Sequence, residues 1–501
     1  MTLHTGPGAE TDQALLHHVR PADWRNPEPA PRYNLVVVGG GTAGLVSAVG
    51  AASLGARVAI VERHRLGGDC LNYGCVPSKA LIRSGRAAAG VRGAAAYGVQ
   101  VPGAPAIDFD AVMHRMRALR LSLAPHDSVA RLAGLGIDVF LGGARFAEPR
   151  VLDAAGARLR FTRAIIATGA RAAVPPIPGL EGVPVLTNET VFSLETCPPR
   201  LTVIGAGPIG CELAQVFARL GSEVTVVSDS ARVLPRDDAD AGAIVARALE
   251  SDGVRLILGA AIRLAGRDAQ GLFLVADHEG RERTVHGDAL LVAAGRRPNV
   301  DGLNLGAAGI TAGPRGVIVD DFLRTTNRAV YAAGDITGLP AFTHAADAMA
   351  RIAVQNALFF GRERASALVI PSCTYTDPEV ASVGLPESEA ADRADISTFT
   401  VPMTNVDRAV LDGATDGFAR VRTDRAGRVL GATMVAPHAG EAIGEMALMM
   451  AAGIRLGTLA STVHPYPTVA EAWKRLGDEW NRTRLTPRVR RVLTGLLAWR
   501  R

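Results

Sequence analysis

The sequence predicts an α/β fold with two Rossmann-like dinucleotide-binding domains and a C-terminal α+β domain. Three observations point there. The 501-residue chain carries one strand, glycine turn, helix, strand pattern twice. Short β-branched runs ending on glycine recur between and after the two copies. Beyond about residue 366, apolar and polar residues alternate between turn residues, as in half-buried strands.

The first copy is "YNLVVVGGGTAGLVSAVGAASLGARVAIVE", from Tyr33 to Glu62. Its run Leu35–Val38 is short and apolar, as a buried parallel strand should be. Gly39, Gly41 and Gly44 follow at G-x-G-x-x-G spacing. The first allows a tight turn, the second lets backbone approach a pyrophosphate, and the third lets helix pack on strand. The helix N-terminus offers N–H groups and positive partial charge to phosphates. Glu62 ends the second strand, where a carboxylate can bind ribose hydroxyls. Glycine-rich turns also arise by chance, but here the whole βαβ context is present.

The second copy, "RLTVIGAGPIGCELAQVFARLGSEVTVVS", spans 200–228 and places Gly205, Gly207 and Gly210 at the same spacing. Glu62 lies eighteen residues past Gly44, and the same offset from Gly210 lands on Ser228. An acid there favours NADH; serine removes its repulsion of a 2′-phosphate, and Arg232 is near in sequence. Asp229 pulls the other way, so the balance leans to NADPH. Two dinucleotide sites in one chain are most simply one flavin and one nicotinamide.

Between the copies, Asp108–Leu123 and His126–Leu135 read as helices split by Pro125. "RAIIATGA" (163–170), "DALLVAAGRRPN" (288–299) and "AVYAAGDITG" (329–338) read as buried strands running into loops. The expected organisation is an extended proline-containing arm (1–32), a first dinucleotide segment (33–170), an inserted dinucleotide domain (171–297), a return segment (298–366), the α+β domain (367–485) and a basic helix (486–501). That last helix is expected to pack on the body or on a dimer mate.

The net charge of +5 is spread along the chain, with no cluster of arginines and stacking aromatics outside the last residues, so nucleic acid is not an expected partner. No apolar run reaches membrane-spanning length. The N-terminal stretch lacks the layout of a secretion signal, and five cysteines suggest no disulfide scaffold, so the cytoplasm is the expected compartment. Lysine occurs only at Lys79 and Lys474.

Lys79 closes "GGDCLNYGCVPSK", residues 67–79, with Cys70 and Cys75 five positions apart. Pro77 fits the first turn of a following helix, which puts Cys75 near a helix N-terminus that favours thiolate. The pair can be redox-active, half of a zinc site, or two inert thiols. Zinc sites favour closer spacing within a set of four ligands, and no metal is expected.

"GGDCLNYGCVPSK" resembles the redox signature of the class I pyridine nucleotide–disulfide oxidoreductases. The resemblance runs from Tyr33 to about Leu485 through "IIATGA", "GAGPIGCELAQ", "AAGRRPN", "VYAAGDITG" and "YPTVAE", and is strongest to the mercuric-reductase-like branch. It implies FAD and NADPH or NADH as cofactors, a homodimer sharing its active site across the interface, and a Cys70–Cys75 disulfide. Cys75 would be the thiol beside the flavin and Cys70 the thiol that meets the acceptor, a small molecule or metal ion. Lys79 would pair with Glu212 near the flavin. Thr168, Gly169, Gly334 and Asp335 would line the flavin's dinucleotide, and Arg296 the nicotinamide dinucleotide.

One stretch departs from the pattern. Disulfide-reducing members carry H-x-H-P-T-x-x-E, whose second histidine pairs with the glutamate as acid–base catalyst. Here "HPYPTVAE" has Tyr466 in that place and keeps Glu471. A phenol with pKa near 10 shuttles protons poorly beside an imidazole near 6.5. His464 stands two residues earlier as a possible substitute, and His344 resembles a dihydrolipoyl dehydrogenase histidine. The tyrosine favours the mercuric-reductase-like reading, although that enzyme's C-terminal cysteine pair and N-terminal metal-binding domain have no counterpart here. A dihydrolipoyl-dehydrogenase-like thiol oxidoreductase and a redox-sensing binding protein are the alternatives.

Overall fold

The computed structural model describes residues 9–103 and 105–501. It divides into two compact units. One holds the chain up to Gly205, Leu213–Asp229 and Ala260–Leu368; the other holds Ala206–Glu212, Ser230–Gly259 and Val369–Arg501.

In the first unit a seven-stranded sheet carries the N-terminal βαβ motif. Tyr33–Val38 lies between Val58–Glu62 and Ala157–Ile166, parallel to both, with Leu35 opposite Val58 and Arg163. Asp138–Leu141 extends one side in parallel. Val330–Ala332 returns late in the chain to pair with Ala164–Ile166. The central strand is buried from Leu35 to Val38, and Phe140, Phe146 and Phe161 fill the core against it. The second copy is built alike: Arg200–Ile204 runs parallel to Glu223–Val227 and to Ala289–Val292. A three-stranded antiparallel sheet, Ala261–Asp268, Gly271–His278 and Arg281–Gly287, adjoins it in sequence. Helices Phe109–Leu123 and Val129–Gly134 stand where expected, with a 3₁₀ turn containing Pro125 between them.

The arm departs from expectation. Its residues 1–8 lie outside the described residues, but Ala9–Val19 is a helix, not extended chain. Acids in its first turn and histidines in its last suit the helix dipole. Leu15 and Val19 are buried, and Asp12 pairs with the buried Arg120. Only residues 21–32 follow the irregular path their prolines impose. There Trp24 donates to the Val139 carbonyl, and Asn26 exchanges hydrogen bonds with Leu141, covering the edge strand.

The second unit holds a five-stranded antiparallel sheet in the order Pro371–Thr374, Glu379–Gly384, Val429–Ala436, Phe418–Thr423, Ser397–Pro402. Helices Ala439–Ala451 and Glu471–Thr483 bury Ile443, Met446, Trp473 and Leu476 in one core with it. The Trp473 indole donates to the Ala442 carbonyl at 3.1 Å.

A charged cluster is sealed into this unit. Arg422, 1% exposed, pairs with Asp238, and Arg420 bridges Asp238 and Asp240 at 3.1 and 2.5 Å. Burial works to raise the Asp238 pKa, but the Arg422 charge prevails and holds it below the usual carboxylate range. Losing one partner strands the other charge away from water. Asp238→Ala is therefore expected to cost about 3–5 kcal/mol in denaturant unfolding. Asp240→Ala, with a half-exposed carboxylate, is expected to cost about 1 kcal/mol or less. Equal effects would refute the desolvation account.

Candidate redox site

The glycines of the first copy separate by role. Gly39 has φ of 108°, and a Cβ there would sit 2.3 Å from the Ala167 carbonyl oxygen. A Cβ on Gly44 would sit 1.8 Å from the Gly39 oxygen, so helix and turn touch through backbone. At Gly41 the nearest atom would be Gly68 Cα, at an ordinary 3.6 Å. No side chain caps helix Thr42–Ser53, which leaves its first N–H groups for a phosphate. The Glu62 carboxylate accepts the N–H groups of Gly40 and His64 at 2.6 Å each, placing it beside the turn. The cradle therefore fits FAD: donors for pyrophosphate, a carboxylate for ribose and backbone open to close approach.

Thr168 and Gly169 serve as a clasp. The Thr168 hydroxyl donates to the Asn299 carbonyl at 2.9 Å, its own carbonyl accepts the Asn299 amide, and Gly169 accepts the Asn299 N–H. Gly334, at φ 81°, turns the chain into the 3₁₀ segment Asp335–Thr337. Burial raises the Asp335 pKa, an effect opposed by the Arg296 guanidinium.

Arg296 is held by two carboxylates. Its guanidinium reaches Asp69 at 2.8 Å and Asp335 at 3.5 Å, and donates to the Ala170 carbonyl. Asp69, next to Cys70, also accepts from the buried Asn188 at 3.0 Å. Asp69 and Asn188 escaped the sequence reading.

The cysteines sit at a helix junction. Cys70 lies in the short helix Gly68–Tyr73, Gly74 breaks it, and Cys75 is the first residue of helix Cys75–Gly93. Both are thiols here, Cys70 the more buried, and they hydrogen-bond each other. The bond to Cys75 and then burial push the Cys70 pKa far up. The proton thus stays on Cys70, while the helix N-terminus favours thiolate at Cys75. Cys75 Sγ also lies 3.3 Å from the Thr343 hydroxyl, at the start of helix Thr343–Leu358. Thr343 was missed, although its neighbour His344 was noticed; the His344 ring stacks on Phe342. Lys79 is one helical turn beyond Cys75, on the same side of the helix. Cys211 is the opposite case, buried and pushed up to about 12, an inert thiol.

In the second copy, Gly205 has φ of 107° and its Cβ would meet the Ala293 oxygen at 2.7 Å. Gly207 has open space around its Cβ position, and Gly210 is buried in helix Pro208–Arg219. Ser228, 3% exposed, directly follows strand Glu223–Val227. Glu212 is buried in the second unit and accepts the Tyr375 N–H at 2.8 Å.

The tyrosine of "HPYPTVAE" belongs to a network in the second unit. The Tyr466 hydroxyl donates to Asp407 Oδ2 at 2.8 Å, and the ring is 70% exposed. Arg475 joins Asp407 Oδ1 at 3.1 Å and Glu471 Oε1 at 3.0 Å. The hydrogen bond to Asp407 raises the phenol pKa further. Glu471 Oε2 is buried without a hydrogen-bond partner. The His464 ring nitrogens lie 3.2 Å from the Thr462 carbonyl and 3.1 Å from Glu445.

Comparison with known proteins agrees with this geometry. Residues 33–350 match the model of the pyridine nucleotide-disulphide oxidoreductases, and 370–476 that of their dimerisation domain. A mercuric reductase of Bacillus cereus is 35% identical over 445 residues, 88% of this chain and 70% of that protein. A dihydrolipoyl dehydrogenase of Bacillus subtilis is 32% identical over 463 residues, 88% and 97% of the two chains. Among solved structures, the hypochlorous-acid-induced flavoprotein disulfide reductase RclA of Escherichia coli superposes with a TM-score of 0.80 at 29% identity, covering 89% of this chain and 99% of its own. That protein has also been solved as a Cu(II) complex. The chain belongs to the pyridine nucleotide–disulphide oxidoreductase family, as an FAD-dependent enzyme that takes electrons from NAD(P)H.

Proposed function

We propose that the enzyme reduces a metal ion or comparable electrophile, in the manner of a mercuric reductase, rather than a disulfide substrate. The observation that carries this reading is Tyr466. A protonated phenol tied to Asp407 stands where disulfide-reducing relatives place an imidazole, and the Glu471 oxygen left over has no partner. Releasing a dithiol from a mixed disulfide needs a proton donor poised near neutral pH. Delivering electrons to a metal ion does not.

Bound FAD supplies hydride acceptance from NAD(P)H and two-electron reduction of a disulfide. The protein's own groups do the rest. Gly39, Gly41, Gly44, Glu62, Thr168, Gly169, Gly334 and Asp335 hold the flavin dinucleotide. Gly205, Gly207, Gly210 and Ser228 hold the nicotinamide dinucleotide, with NADPH preferred because serine does not repel a 2′-phosphate. Arg296 acts as a brace between Asp69 and Asp335. In the two-electron-reduced enzyme Cys75 is the thiolate at its helix N-terminus, with Lys79 as the nearby cation. Cys70 binds the acceptor. As the Cys70–Cys75 bond re-forms, two electrons pass to the metal ion and the Cys70 proton is released. In a homodimer, the partner copy supplies Tyr466 and Glu471 to the site.

The test is turnover with NADPH and with NADH against Hg(II), Cu(II), lipoamide, glutathione disulfide and quinones. Metal-ion reduction at rates far above autoxidation, with NADPH the better donor and lipoamide a poor acceptor, is expected. Fast lipoamide turnover by the native protein would remove the reading.

A further inference from the structure

We propose that the last helix docks the enzyme on the surface of an anionic lipid bilayer. Helix Pro487–Trp499 starts cleanly: Pro487 occupies its first turn, and the Thr486 hydroxyl accepts the Val489 N–H at 3.3 Å. At 100° per residue, Val489, Val492, Leu493, Leu496, Leu497 and Trp499 share an arc of about 160°. Arg488, Arg490 and Arg491 lie outside that arc. This is a well-sorted amphipathic helix, yet none of its residues is buried. Val492 is 71% exposed, Leu497 61% and Trp499 80%. The expectation that it packs on the body is not met within the chain. A contiguous apolar face of this kind calls for a cover.

Charge selects the cover. From Arg482 to Arg501 the chain carries seven arginines and no aspartate or glutamate. Pairing this helix with its copy in a second chain would crowd like charges together. A nucleic acid would satisfy the arginines and leave the six apolar side chains in water. An anionic bilayer takes both sets, with valine, leucine and tryptophan entering the headgroup–acyl boundary and guanidinium groups meeting lipid phosphates. The helix has thirteen residues, and no helix among the described residues is long and apolar enough to cross a membrane. It therefore lies along the surface rather than through it.

Flotation of the FAD-loaded full chain tests this, using vesicles of phosphatidylcholine alone and of phosphatidylcholine with phosphatidylglycerol. Binding to the anionic vesicles only, released by high salt, is expected. Arg490→Gln with Arg491→Gln should weaken binding roughly 30-fold. Leu493→Glu with Leu496→Glu should abolish it. Both double variants should keep native turnover in solution and native mass by light scattering. Absence of anionic-vesicle binding, or full binding by the arginine variant, overturns the proposal. Loss of native mass in the leucine variant would assign the face to a second copy instead.

Discussion

Cys75→Ser is expected to lower turnover with every acceptor by at least about three orders of magnitude, because the residue both completes the disulfide and carries the thiolate of the reduced enzyme. Cys70→Ser should lose acceptor reduction to a similar degree, yet the two variants should differ in colour. In Cys70→Ser, Cys75 has no sulfur to pair with. It therefore stays a thiolate at the N-terminus of Cys75–Gly93, beside the Thr343 hydroxyl. Long-wavelength thiolate-to-flavin absorbance should then be present before any reductant is added. In Cys75→Ser the remaining thiol is Cys70, whose pKa is forced up by its hydrogen bond to position 75 and by burial in the native protein. Burial alone keeps that thiol protonated in the variant, and the band should be absent at all stages of an anaerobic NADPH titration. The native protein should show it only on two-electron reduction. Absorbance retained in Cys75→Ser and missing in Cys70→Ser would exchange the two roles.

Much of this site could be read from the chain because its logic is local. The glycine spacing, the strand-ending Glu62 and the helix that opens at Cys75 are set by neighbours within one βαβ unit or one turn, where sequence pattern and geometry coincide. What escaped reading depends on distant pairings. Asp69 meets Arg296, and Tyr466 meets Asp407 across 59 positions. Nothing in the residues themselves announces either pair. Thr343 is similar: a lone threonine before an alanine-rich helix becomes informative only when Cys75 Sγ is beside it. The helix Ala9–Val19 was hidden differently. Prolines at 21, 27, 29 and 31 suggested an open arm, whereas the residues before them had apolar side chains to bury and an acid for Arg120. Tertiary burial outweighed a compositional signal.

Tyr466→His should convert a poor dithiol–disulfide catalyst into a competent one, raising lipoamide turnover by about 10²-fold or more. The machinery for an imidazole is already in place. Glu471 is anchored through Oε1 by Arg475, and its other oxygen is buried without a partner. An imidazole at position 466 offers an N–H to that oxygen, which would orient the ring and raise its basicity. The present phenol donates instead to Asp407, and that bond holds its proton more tightly still. The gain should have a pH signature. A histidine that must accept a proton from a dithiol works only when neutral, so kcat/KM for dihydrolipoamide oxidation should rise with pH through the imidazole pKa, near 6.5 before the carboxylate shifts it upward. Native enzyme should show no such step. Tyr466→Phe separates the alternatives further: it removes the hydroxyl without adding a base, so lipoamide turnover should stay low while any use of the phenol toward metal ions is lost. If Tyr466→His leaves lipoamide turnover unchanged with protein that retains its flavin and native mass, the tyrosine is not what directs this enzyme away from disulfides.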